Sequence, residues 1–138
     1  MASNWKKYKT LAPDERRLFR EALWKIYYCK LLLIFLSFKK LSHRFKYDGD
    51  ESAEVDHILV KKIQEAILRS NKLHNWKNVC LVNTLTARWM MNIRSNPSVA
   101  YLGVRKNEKG SIEAHAWITS GGIEIVARGT DYTELHRF

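Results

Sequence analysis

Apolar residues recur at helical spacing through the first two thirds of the chain, and they alternate with polar ones through the last third. Pro13, followed by Asp14 and Glu15, has the composition of a helix first turn, and one or two helices are predicted from there to about Phe45. The stretch YDGDES then breaks the pattern. From about Ser52, residues Val55, Ile58, Leu59, Ile63, Ala66 and Ile67 form the core face of a second helix. After the polar connection SNKLHNW, the run VCLVNTLTARWMMNI reads as a third helix, ended by Ser95, Asn96 and Pro97, with Cys80 in its first turn and Met90 and Met91 in the core. VAYLGVRK, SIEAHAWITS and IEIVARG, separated by NEKG and GG, read as three strands joined by two hairpins.

Helices followed by an antiparallel meander define an α+β fold. At 138 residues the chain has room for one core, so residues 1–138 are expected to form a single domain. The longest apolar run, LLLIFLSF from Leu31 to Phe38, is too short to cross roughly 30 Å of hydrocarbon. It is expected to be a core-facing helix segment. The alternative is a basic amphipathic helix lying on a membrane or a membrane-bound partner.

Charge adds a polarity to this outline. Residues 1–46 carry twelve Lys and Arg against three acids, which places nearly all of the net +10 in a basic helical N-terminal region. Such a surface suits nucleic acid, an anionic membrane face or an acidic peptide or protein, and charge alone does not choose among them. Two cysteines and an opening, MASNWKKYKT, without the apolar core of a signal peptide lead to the expectation of a cytoplasmic protein.

Candidate chemistry centres on two residues. On the strand SIEAHAWITS, His115 shares a face with Glu113 and Trp117, while Ile112, Ala114, Ala116 and Ile118 share the other. Cys80, in a helix first turn, feels the positive dipole end and free N–H groups that favour thiolate over thiol. Taken singly, each has an ordinary use, the histidine on a half-exposed sheet face and the cysteine as a small buried hydrophobe. Together they could form a thiolate and imidazolium pair. His43, His57, His74 and His136 are scattered, without CxxC or HExxH spacing, and no GxxxxGK loop occurs, so neither a metal nor another cofactor is expected.

A helix opening on cysteine, then a strand with histidine and a further strand, is the order of the papain-like and transglutaminase-like cysteine enzymes. LAPDERRLFREALW, WKNVCLVNTLTARWMM, YLGVRK, EAHAWITSGG and ELHRF, in that order over about residues 10–138, resemble the transglutaminase-like leader peptidase of lasso peptide biosynthesis. The resemblance implies a cysteine peptidase that removes the leader from a ribosomally made precursor, with Cys80 as nucleophile, His115 as base and Trp117 as the aromatic beside it. It also implies the precursor leader peptide as substrate, a separate recognition protein for that leader, an ATP-using cyclase as a further candidate partner, and no nucleic acid.

One departure stands out. Where the family supplies an acid about a dozen residues past the histidine, this chain has Ala127. Asp131 is the preferred replacement as third triad member, ahead of Glu124, with a carbonyl, a water or a partial dyad as the remaining options. The Cys80 backbone N–H is the expected first oxyanion donor, with a second from Trp76 to Asn78. Two other functions fit the same residues: a non-catalytic basic adaptor that holds an acidic peptide or protein, and another acyl transfer such as amide crosslinking.

Overall fold

A computed structural model describes residues 2–47, 49–76 and 79–138. Five helices, α1 (Ala2–Thr10), α2 (Pro13–Phe35), α3 (Phe38–Arg44), α4 (His57–Asn71) and α5 (Cys80–Asn92), precede four strands, β1 (Val99–Lys106), β2 (Ile112–Ser120), β3 (Ile123–Val126) and β4 (Thr133–Arg137). The fold is α+β, as the order of periodicities requires.

Pro13 stands at the start of α2, where a missing N–H costs no hydrogen bond, and Asp14 and Glu15 meet the positive dipole end. The helix buries Leu18, Ala22, Lys25, Ile26 and Cys29. Its pairings with α5 and the residues just past it run antiparallel: Arg94 bonds Glu21 at 2.5 Å, Lys25 lies over the Trp89 ring, and Cys29 stands beside Thr86. Asp56 caps α4 by accepting from the Leu59 N–H at 3.1 Å. That cap starts the helix later than the apolar spacing suggests. Val55 therefore packs on the core from the preceding loop, and Ile58, expected in the core, is exposed.

The LLLIFLSF run divides. Leu32, Leu33 and Leu36 pack against the core, but Leu31, Ile34 and Phe35 face outward, contrary to the expectation of a core-facing segment. α2 ends where Leu36 turns extended, and Ser37 then caps α3 by accepting from the Lys40 N–H.

The sheet is antiparallel in the order β3-β2-β1-β4. Gly121 and Gly122, at φ 56° and 83°, make the two-residue turn between β2 and β3, a conformation that side chains disfavour. β4 is an additional strand beyond the three expected, held on β1 as an edge. Ala100 on β1 lies opposite Ile118 on β2, and both join Val82, Leu85, Met90 and Met91 of α5 in the core. The helices thus cover the Ala100 and Ile118 face. Met90 and Met91 are fully buried, as their spacing implied.

Candidate active site

Cys80 is the first residue of α5. Val79 precedes it without a side-chain cap, so no side chain competes for the first-turn N–H groups that favour an anion. Both cysteines are free, but they differ in access. Cys29 has no exposed surface, and burial pushes its thiol up to about 11, against weaker opposing effects of Thr86 and Lys25. Cys80 is only half-buried. The accessible thiol is the one at the helix start.

His115 is set by the β1–β2 register. His115 lies opposite Gly103, Trp117 opposite Tyr101 and Glu113 opposite Arg105, all on the sheet face away from Ala100 and Ile118. Trp117 is buried there rather than in the helix-packed core, stacked on Tyr101 with centroids 5.3 Å apart and 5.9 Å from the His115 ring. Tyr132 covers the imidazole at 4.8 Å. Three arginines sheathe these rings: Arg105 over Tyr132, Arg128 over Trp117 and Arg137 over Tyr101, at 4.6, 5.2 and 5.2 Å.

The histidine's hydrogen bond goes to a backbone group. Its Nε2 donates to the Ala127 carbonyl at 2.7 Å. A carbonyl only accepts, so the neutral ring carries its proton on Nε2 and presents Nδ1 as a free acceptor. Position 127 lacks the family's acid, yet its main chain supplies the orienting acceptor.

Asp131 and Glu124 do not take that role. Asp131 occupies a left-handed turn, φ 65°, where its charge acts on Arg105. Glu124 lies opposite Thr119, because the β2–β3 register shifts between Ile118 and Thr119, and its carboxylate accepts from the Arg128 N–H. Nor does a hydrogen bond join Cys80 to His115 among the described residues: the imidazole bonds Ala127 and contacts Trp117 and Tyr132. The reason is strand alternation. α5 packs on the even-numbered residues of β2, whereas His115 is odd. Of the segment expected to give a second oxyanion donor, positions 77 and 78 lie outside the described residues; Trp76 packs edge-on against Tyr27, as a lid over this end of the helix pair would. No three His, Cys, Asp or Glu side chains converge as metal ligands among the described residues.

Three parts of the site were not placed from the sequence, which left a carbonyl among the options for orienting the histidine without indicating which one. The Ala127 carbonyl and the Tyr132 cover follow from the course of the chain after β3, which carries no local signal. Gly103 did carry one: a Cβ there would lie 2.7 Å from the Trp117 ring and 2.8 Å from the Thr133 carbonyl, so glycine is what lets the indole cross β1.

Cys80 opens a helix, and His115 stands on the antiparallel sheet that follows with its tautomer fixed by the Ala127 carbonyl. The description of the transglutaminase-like superfamily matches residues 27–137, which span α2 to β4, and the chain belongs to that superfamily. No curated protein and no solved structure matches it.

Proposed function

We propose that this protein is a cysteine peptidase that removes the leader from a ribosomally made lasso peptide precursor. Superfamily membership over residues 27–137, enclosing Cys80 at the start of α5 and a tautomer-fixed His115, carries this reading. The sequence resemblance narrows the substrate class. In the reaction, His115 Nδ1 takes the Cys80 thiol proton, and the thiolate attacks the carbonyl that joins leader to core. The resulting thioester holds the leader, while His115 returns the proton to the departing core amine. Water then hydrolyses the thioester and regenerates the thiol. This sequence requires Cys80 and His115 to come within hydrogen-bond reach, and from the opposite sheet faces they occupy here that takes a rearrangement on substrate binding.

A second reading is a member of the superfamily that binds an acidic peptide without cutting it. The placement of His115 on the sheet face opposite α5, together with the missing acid at position 127, favours it. Mass spectrometry of precursor incubated with the protein and its recognition partner separates the two. Peptidase action yields leader and core as two fragments, lost in Cys80→Ala and retained in Cys29→Ala. Intact precursor that co-purifies with the protein selects the binding reading.

A further inference from the structure

α2 turns one face to the core and leaves the other largely exposed, with Trp24 and Tyr28 against the Trp89 ring and Tyr27 against Trp76 at its near end. Trp24, Tyr27, Tyr28, Leu31, Ile34 and Phe35 follow one another at three- and four-residue spacing along that outer face, and all are exposed, Ile34 by 69% and Phe35 by 76%. The stripe is about 17 Å long at 1.5 Å per residue. Scattered apolar side chains on a surface need no explanation, but six large ones in a continuous line do.

Its surroundings specify the occupant by charge. Arg17 and Arg20 continue the same helix face toward the N-terminus, and both are exposed. Lys30 flanks the stripe, and Lys39 and Lys40 follow its far end on α3. From residue 16 to residue 46 the sequence contains a single acid, Glu21, and that carboxylate is turned inward to Lys25 and Arg94. The stripe is therefore framed by cations at both ends with no exposed acid between them. Protein interfaces deplete lysine at their centres and rims are screened, whereas lysines beside an aromatic and aliphatic stripe can extend their ammonium groups to lipid phosphates while the stripe enters the acyl boundary. No helix among the described residues is long and apolar enough to cross a membrane, so the contact is a lying one.

We propose that the exposed face of α2, from Arg17 to Lys40, docks the protein on the surface of an anionic lipid bilayer. Trp24, Tyr27 and Tyr28 occupy the headgroup level, Leu31, Ile34 and Phe35 enter the hydrocarbon edge, and the flanking cations engage lipid phosphates. The proposal does not rest on the peptidase reading.

Co-sedimentation of the full chain with phosphatidylcholine vesicles, with and without phosphatidylglycerol, tests it. Binding to the anionic vesicles is expected to exceed binding to the neutral ones by about tenfold or more, at about 1 kcal/mol per engaged cation. Ile34→Ser with Phe35→Ser should lower it by more than about tenfold through lost apolar burial. Lys39→Glu with Lys40→Glu should lower it as well, and added salt should mimic that loss. None of the four side chains makes a hydrogen bond among the described residues, since Lys39 and Lys40 bond through their main chains, and circular dichroism checks that the fold is kept. Equal affinity for both vesicle types, or full binding by the Ile34→Ser and Phe35→Ser variant, overturns the proposal. So does a concentration-dependent dimer that this variant abolishes in a protein that leaves vesicles unbound, which would assign the stripe to a second copy of the chain.

Discussion

His115 donates its Nε2 proton to the main-chain carbonyl of Ala127, 2.7 Å away, on the sheet face where Tyr132 and Trp117 enclose the ring. This fixes which nitrogen is available as a base. In nitrogen-15 NMR at a pH where the imidazole is neutral, the His115 ring should show a protonated Nε2 and a bare Nδ1. The opposite tautomer would mean that the carbonyl contact is broken in solution.

The same geometry leaves no orienting duty for Asp131, whose backbone stands in the left-handed region that asparagine also tolerates. Asp131→Asn should change precursor cleavage by less than about threefold. A triad acid behaves differently, its amide variant losing on the order of 10⁴ in turnover. A loss approaching that size would place the Asp131 carboxylate on the imidazole during catalysis.

Gly103→Ala should destabilise the fold by about 1–3 kcal/mol, the usual cost of overpacking, because the added methyl meets both the Trp117 ring and the rigid Thr133 carbonyl. Thermal melting reads the loss. Trp117 should move with it, so cleavage should fall even at temperatures where the variant is fully folded.

Much of this arrangement was legible in the sequence because it is written in local periodicity. The α5 start at Cys80, the buried pair Met90 and Met91, and the Gly121–Gly122 hairpin all follow from spacing and turn chemistry. β4 was not, since TELHR alternates weakly and is held by pairing with β1, a contact distant in sequence. α1 was missed because ASNWKKYKT has no strong apolar period. Ile58 was misplaced because it lies well off the side of α4 on which Val60, Ile63, Ala66, Ile67 and Ser70 are buried. The orienting partner of His115 is a backbone carbonyl, and the residue type at position 127 leaves no trace of it.

Glu21 joins α2 to α5 by bonding both Lys25 at 2.7 Å and Arg94 at 2.5 Å, and Lys25 is nearly fully buried. Burial raises the Glu21 carboxyl, but the bonds from Arg94 and Lys25 outweigh it and hold the group below its ordinary 4.5. A carboxyl lowered by folding stabilises the native state above its unfolded value, and this contribution is lost as pH falls through the lower folded value. Glu21→Gln should cost about 2 kcal/mol at neutral pH, somewhat under the roughly 3–5 kcal/mol of a fully buried broken pair. Denaturant titrations should then show the difference from the parent protein shrinking below about pH 4. A difference that persists unchanged at low pH would show that the amide disturbs packing instead.

If the Cys80 thiol performs the cleavage, precursor cleavage and residue-resolved alkylation, followed in the same sample near neutral pH, should move together. Cys29, fully buried with its thiol pushed up to about 11, should stay unmodified, while the half-buried Cys80 reacts. Cleavage should fall in proportion to the fraction of Cys80 alkylated and reach zero when that fraction is complete. Cleavage that continues at its full rate with every Cys80 alkylated would contradict that role for Cys80.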